Sequence, residues 1–176
     1  MKHRMHLGDA EGPQVFATIF RRNFWSGSHS RSGPGSDLAQ TKSVRETLPR
    51  LLNELRVRSL LDLPCGDFYW MSRVDLDIDK YIGADIVEEL IGANTRTFIV
   101  SDVTKDALPT VDAIMCRDCL VHLSFEDIQR AISNISRSGA AYLLTTTFVD
   151  RATNSNIRTG QWRPINLEKP PFSLNT

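Results

Sequence analysis

Apolar and polar positions change their rhythm near residue 59 of this 176-residue chain. Between Asp37 and about Leu55, the residues Leu38, Val44, Leu48, Leu51, Leu52 and Leu55 recur on one helical face, predicting a helix that Pro49 would kink or interrupt. From Ser59 onward the pattern becomes short apolar runs separated by turns and helices. Ser59–Leu63, Tyr81–Asp85, Thr97–Val100, Val111–Cys116 and Ala140–Phe148 have the length and composition of buried strands. Ile86 to Asn94 can be helical. Ser124, with Asp127 three positions later, has the form of a capping box opening a helix that runs to about Arg137 and stops at Gly139.

Strands alternating with helices predict parallel βα units, and hence an α/β fold with a mostly parallel sheet covered on both faces. Upstream, residues 23–36 hold three glycines, one proline and five serines and read as a loop. The chain therefore divides into an N-terminal extension, residues 1–36, and one domain, residues 37–176. The stretch containing Phe24-Trp25 and Ser32–Ser36 suits a lid over a ligand and a plain connector equally well. Trp70 and Met71 are expected in the core beneath the first helix.

Composition narrows the class without choosing a function. A 41% hydrophobic, 24% charged chain of this length fits one soluble domain. The polar Met1–Gly12 start lacks a signal-peptide pattern and no run approaches a membrane span, so a cytoplasmic location without membrane association is expected. Residues 1–58 carry a net charge of +5, residues 59–150 of −8 and residues 151–176 of +3. An acidic centre argues against a nucleic-acid groove there and suits a small cationic ligand or a solvated surface. Cys65, Cys116 and Cys119 lack a clear fourth ligand, so they read as core-lining thiols and no metal is expected.

In open α/β sheets, ligands bind beyond the carboxyl ends of the strands. Here those ends carry Asp62 with Gly66-Asp67, Asp85, Asp102, and Cys116-Arg117-Asp118. Gly66 has no β-carbon and admits a close backbone approach. Asp85 follows Gly66 by 19 residues, near the offset of an acidic ribose partner. Asp102 could accept from an adenine amino group, and the Val103 N–H could serve a ring nitrogen.

With those residues in place, Leu60-Leu-Asp-Leu-Pro-Cys-Gly-Asp-Phe68 resembles the first motif of class I S-adenosylmethionine-dependent methyltransferases. Tyr81–Asp85 resembles the second motif, Ser101-Asp102 the third, and Asp112–Cys116 through Leu120–Leu123 the fourth. The Pro-Cys-Gly-Asp-Phe form is similar to bacterial methyltransferase-like proteins. The resemblance covers roughly residues 40–148 and implies a Rossmann-like, seven-stranded sheet with S-adenosylmethionine across strands one, two and four. Carried over residue by residue, Asp62, Gly66 and Asp67, with neighbouring Cys65, would surround the methionine moiety. Asp85, with neighbouring Ile86, would hold the ribose; Asp102 and Val103 would hold the adenine; Cys116 and Arg117 would lie near the sulfonium.

Two departures stand out. Pro64 and Phe68 occupy the positions of the family's outer glycines, so the loop need not follow the usual path. The chain also leaves space for at most one further strand, near Pro171–Leu174, which would make the final hairpin incomplete.

Methyl transfer needs an aligned acceptor, exclusion of water and, for a protonated acceptor, a base. His122 is the candidate base, Asp118 an orienter or base, and Arg117 a clamp for an anionic acceptor. The polar segment with Asn154, Asn156, Gly160, Trp162, Arg163 and Asn166 suits an acceptor loop or a surface loop. The expected activity is methyl transfer to a small-molecule acceptor, with a non-catalytic or truncated cofactor-binding module as the alternative. A nicotinamide oxidoreductase is disfavoured because Gly-x-Gly-x-x-Gly is missing. Acceptor and oligomeric state stay open.

Overall fold

The computed structural model describes residues 12–91 and 97–174. Five strands, β1 (Ser59–Asp62), β2 (Lys80–Asp85), β3 (Thr97–Val100), β4 (Ala113–Cys116) and β5 (Tyr142–Thr145), form one sheet in the order β3-β2-β1-β4-β5. Every adjacent pair is parallel, with Asp62 opposite Gly83 on β2 and Met115 on β4.

Successive side chains on a strand point to opposite faces, so a sheet buried on both sides reads as continuous apolar sequence. Leu60, Ala113 and Met115 pack on one face with Leu48 and Leu52 of α2 (Lys42–Glu54) and with Trp70 and Met71. Leu61, Ile114 and Cys116 pack on the other with Ile128, Ala131 and Ile135 of α4 (Phe125–Arg137). Gly83 serves this packing: a β-carbon there would fall 2.3 Å from the Phe98 ring.

Several elements differ from expectation in extent. α2 contains Pro49 but starts at Lys42, because Asp37–Thr41 forms turns. The last two strands are trimmed to four residues each. α3 spans Glu88–Ile91; Ile86 and Val87, expected in this helix, form the bend that leads into it, and residues 92–94 lie outside the described residues. Ser124 caps α4 by accepting from Asp127 N at 3.1 Å. The reciprocal half of the box is redirected, since Ser124 N donates to Thr159 Oγ1 instead.

Two findings were absent from the pattern-based expectation. Gly12–Arg21 forms α1, whose Val15 and Ile19 are buried; residues 1–11 of the N-terminal extension lie outside the described residues. No strand forms near Pro171–Leu174, so the sheet has five strands among the described residues rather than seven. The segment after β5 is instead an irregular belt whose Ile165 and Leu167 enter the core. No helix among the described residues is long and apolar enough to cross a membrane.

The belt needs side chains to satisfy its backbone, because irregular chain provides no ladder of its own. Asn154 and Asn166 bridge its two arms: Asn166 N donates to Asn154 Oδ1 at 2.8 Å and Asn154 Nδ2 to Asn166 O at 2.8 Å. Arg163, 5% exposed, donates to the carbonyls of Leu120 at 2.9 Å and Leu123 at 2.7 Å. Those carbonyls flank the short 3-10 turn Leu120–His122.

Candidate functional site

The carboxyl ends of the strands open into a cavity of about 980 Å³. Asp62, Asp85 and Asp102 all line it, because β1, β2 and β3 are neighbours whose tips stand side by side. Parallel strands lie ~4.8 Å apart, so the three carboxylates span about 10 Å.

The first loop keeps its approach to the cavity despite Pro64 and Phe68. Cys65 N donates to Ala84 O at 2.8 Å, tying the loop to β2, and Gly66 follows at φ +57°. A β-carbon on Gly66 would stand 2.3 Å from Ser32 Oγ. Phe68 turns its ring into the core beside Tyr81 and Phe98.

Burial governs the electrostatics of the deepest carboxylates. Asp62 is 2% exposed, and desolvation pushes its pKa up to about 7 against the opposing hydrogen bond from Tyr81 Oη at 2.6 Å. Asp85 is pushed up to about 6, again by burial, although Val87 N at 2.9 Å and Gly66 N at 3.0 Å both donate to it. Both carboxylates would gain from a cation.

Asp102 sits in a turn of its own making. Its Oδ1 accepts from Thr104 N at 2.9 Å and Thr104 Oγ1 at 2.7 Å, and Lys105 Nζ lies 3.4 Å from Oδ2. Asn134 of α4 secures this loop by donating to Val103 O and Asp106 O. Ile86 and Val103 also line the cavity.

Two residues expected at the ligand are placed elsewhere. Cys116 is fully buried in the core behind the cavity wall, because β4 alternates and its last residue faces α4. Asp67 turns away from the cavity and accepts from Ser30 Oγ at 3.0 Å and Arg31 N at 2.9 Å. It anchors the serine-rich loop. Cys65 and Cys119 do line the cavity. Burial pushes the Cys65 thiol pKa up; a hydrogen bond with Cys116 leads the rise at Cys119. Among the described residues, no group of three or more His, Cys, Asp or Glu side chains could hold a metal ion.

Beyond β4, Arg117, Asp118 and His122 share the other end of the cavity. Arg117 Nη2 lies 3.0 Å from Asp118 Oδ2, donates to Gly35 O at 2.9 Å, and the guanidinium rests over Trp70. Asp118 is fixed further by Thr146, whose hydroxyl donates to Oδ1 at 2.9 Å. His122 Nδ1 stands 3.0 Å from Gln161 O. A carbonyl only accepts, so Nδ1 carries the proton and Nε2 keeps its lone pair. Burial lowers the His122 pKa, keeping the ring neutral at pH 7.

The N-terminal elements complete the walls. Trp25 stacks on His122, and Phe16 and Phe20 of α1 line the cavity with Arg31–Ser36. From the belt, Thr159 and Trp162 join Phe148. Trp25, Trp162 and the Ser32–Ser36 loop were visible in composition, but their convergence was not. The part played by α1 was signalled only by Val15, Phe16, Ile19 and Phe20 at helical spacing.

No family model and no curated protein matches the chain. Solved structures do. The DhpI–SAH complex superposes with a TM-score of 0.58 at 16% identity, over 88% of this chain and 81% of that one. The fold is the Rossmann-like class I methyltransferase fold. N-methyltransferase NodS from Bradyrhizobium japonicum WM9, crystallised with S-adenosyl-L-homocysteine, gives 0.53 at 14% identity, covering 73% of this chain and 68% of that chain. Magnesium protoporphyrin IX methyltransferase from Synechocystis PCC 6803, with bound SAH, gives 0.52 at 19% identity, covering 72% and 68% respectively. At these identities, the likeness establishes architecture.

Proposed function

We propose that this chain is an S-adenosylmethionine-dependent methyltransferase acting on a small-molecule acceptor. The observation that carries the reading is the convergence of Asp62, Asp85 and Asp102 on one cavity at the tips of three adjacent strands of this fold. The donor set fits the cofactor: two buried carboxylates, Asp62 and Asp85, form no ion pair among the described residues, a ribose needs a carboxylate, and Gly66 carries no β-carbon at the loop that faces the cavity. Three solved proteins of the same fold, of which two are named as methyltransferases, hold S-adenosylhomocysteine.

In this reading Asp62 and Gly66 hold the methionine end, with Cys65 at the wall. Asp85 holds the ribose beside Ile86, and Asp102 with Val103 holds the adenine. Asp67 and Cys116 support the site from behind. Bound S-adenosylmethionine supplies an electrophilic methyl group.

The volume favours a second ligand, since about 980 Å³ lies at the upper end of the ~300–1,000 Å³ of small-molecule pockets. The acceptor would lie over the tips of β4 and β5, among Arg117, His122, Phe148 and Trp162. His122 accepts the acceptor proton at Nε2, and its Gln161 hydrogen bond holds the required tautomer. Arg117, braced by Asp118 and Gly35 O, presents a fixed cation to an anionic group. The aromatic side chains restrict water.

Titration calorimetry with S-adenosylhomocysteine, and separately with NAD, tests the cofactor. Saturable heat is expected from the first alone; none from it, or preference for NAD, rejects the reading. S-adenosylhomocysteine release with a panel of small acceptors then distinguishes an enzyme from a binding module. His122→Ala is expected to lower turnover by ~10²-fold or more while leaving S-adenosylhomocysteine affinity within twofold. Equal loss of both, or of neither, removes the base role.

A further inference from the structure

The end of the cavity near His122 carries a large aromatic side chain that the fold leaves more than half exposed. Trp162 lines the cavity, is 58% exposed and meets Phe148 edge to face, with ring centroids 6.3 Å apart and planes at 88°. An indole held at a cavity wall with its ring uncovered is a contact surface for a ligand.

The belt on either side of Trp162 fixes its place. Gly160 N donates to His122 O at 2.8 Å, Gln161 O stands 3.0 Å from His122 Nδ1, and Arg163 N donates to Val121 O at 3.1 Å. The residues before and after the indole are therefore bonded to the segment that carries the candidate base. A molecule that reaches His122 Nε2 arrives within reach of Trp162.

The base itself selects among acceptors. Burial lowers the His122 pKa below its ordinary 6.5, against the opposing pull of Gln161 O and Asp118. So weak a base takes a proton efficiently only from an acceptor that is itself fairly acidic. An aromatic hydroxyl titrates near ~10, whereas an aliphatic one, like water, lies near ~16. Geometry points the same way. The lone pair on Nε2 lies in the imidazole plane, and that plane is 29° from the plane of Trp25. A flat acceptor whose hydroxyl hydrogen lies in its own ring plane can meet Nε2 while running nearly parallel to Trp25.

We propose that the acceptor is a hydroxyarene, its ring resting against Trp162 and Phe148 and its hydroxyl donating to His122 Nε2. This rests on the methyl-donor reading above and names the acceptor class for the same cavity. The hydroxyl proton passes to Nε2 and an oxygen lone pair takes the methyl group. The electron pair of the broken carbon–sulfur bond stays on sulfur as a neutral thioether, and the proton then leaves His122 for solvent. Trp162 is the residue that sets specificity for the ring.

Two probes that share one carbon skeleton and one hydroxyl test the ring: 2-naphthol and its saturated counterpart, decahydro-2-naphthol. Titrated into the S-adenosylhomocysteine-loaded protein, 2-naphthol should bind at least fivefold more tightly, about the worth of one good aromatic contact. In Trp162→Leu that preference should shrink to within twofold while S-adenosylhomocysteine affinity stays within twofold. Trp162→Phe should keep part of the preference. Trp162 is exposed, so the ligand-free variants should melt with the parent. With S-adenosylmethionine present, S-adenosylhomocysteine release should be at least tenfold faster with 2-naphthol than with the saturated alcohol. Equal affinity for the two probes, a preference that survives Trp162→Leu, or equal turnover of both overturns the assignment. If S-adenosylhomocysteine binds and the arene is not preferred, the acceptor class alone falls; if S-adenosylhomocysteine does not bind, the donor reading falls and takes the acceptor class with it.

Discussion

Trp25 lies flat on His122, with ring centroids 4.7 Å apart and planes 29° from parallel. An aromatic residue of the N-terminal loop thus shields the candidate base at the far end of the sheet. Burial is the leading cause of the lowered His122 pKa. Trp25→Ala readmits water, so the pKa should rise toward 6.5. The acid limb of a pH–rate profile, or the imidazole NMR titration, should move upward with it. An unmoved titration would show that other walls supply the burial.

Asp62 and Asp85 make the stability of the ligand-free protein depend on pH in an unusual direction. Their folded pKa values, about 7 and about 6, exceed the ordinary 3.8, so the folded chain binds more protons than the unfolded chain between these limits. The resulting stability is present below pH ~4 and is lost as pH rises through 6 to 7. At ~1.4 kcal/mol per pKa unit, the part withdrawn between pH 5 and 8 is about 4 kcal/mol, ~8–16 °C of melting temperature. Asp112 and Asp79, whose pKa values are lowered by hydrogen bonds, act oppositely at lower pH. Thermal melts between pH 5 and 8 should fall for the parent and fall less steeply for Asp62→Asn, in which Asp85 still titrates. A parent melting temperature that climbs across that range would contradict the burial of these charges.

Arg163 fastens the belt to the turn bearing His122, donating to Leu120 O and Leu123 O from a site 5% exposed. Burial lowers its pKa to about 10, leaving it charged at neutral pH. Arg163→Met should cost ~2–4 kcal/mol by removing the guanidinium's bonds to Leu120 O and Leu123 O in a buried site, read as a lower midpoint in urea. Turnover should fall with it, because Gly160 N and Arg163 N also bond the backbone of His122 and Val121. Arg163→Lys cannot reproduce the fork and should recover only part of either loss.

Gly66→Ala tests the loop that follows β1. At φ +57° a β-carbon costs ~1–2 kcal/mol, and the contact with Ser32 Oγ at 2.3 Å adds displacement of the serine. The expected readout is weaker S-adenosylhomocysteine binding beyond the loss in stability. Gly66→Ala with Ser32→Gly relieves the clash but not the backbone strain, so recovery should be incomplete. Full recovery would assign the whole effect to Ser32.

Local pattern was enough to establish the βα alternation, the five strands, the α4 cap at Ser124 and the acidic strand ends. Each depends on nearest neighbours in sequence: alternation of apolar residues, helical spacing, a serine before an acidic first turn. It also singled out Gly66, which the fold holds at φ +57°. Tertiary structure decided what distant segments do to one another. Asp67 faces the serine loop rather than the cavity because Ser30 and Arg31 arrive there from α1. Cys116 lies behind the wall because strand register, set by pairing with β1, turns it toward α4. Trp25 and Gln161 meet His122 only because the fold brings the segments before β1 and after β5 together over the β4 tip. Short-range sterics and hydrophobic period are written residue by residue. The partner of a buried charge is written nowhere until the chain has closed around it.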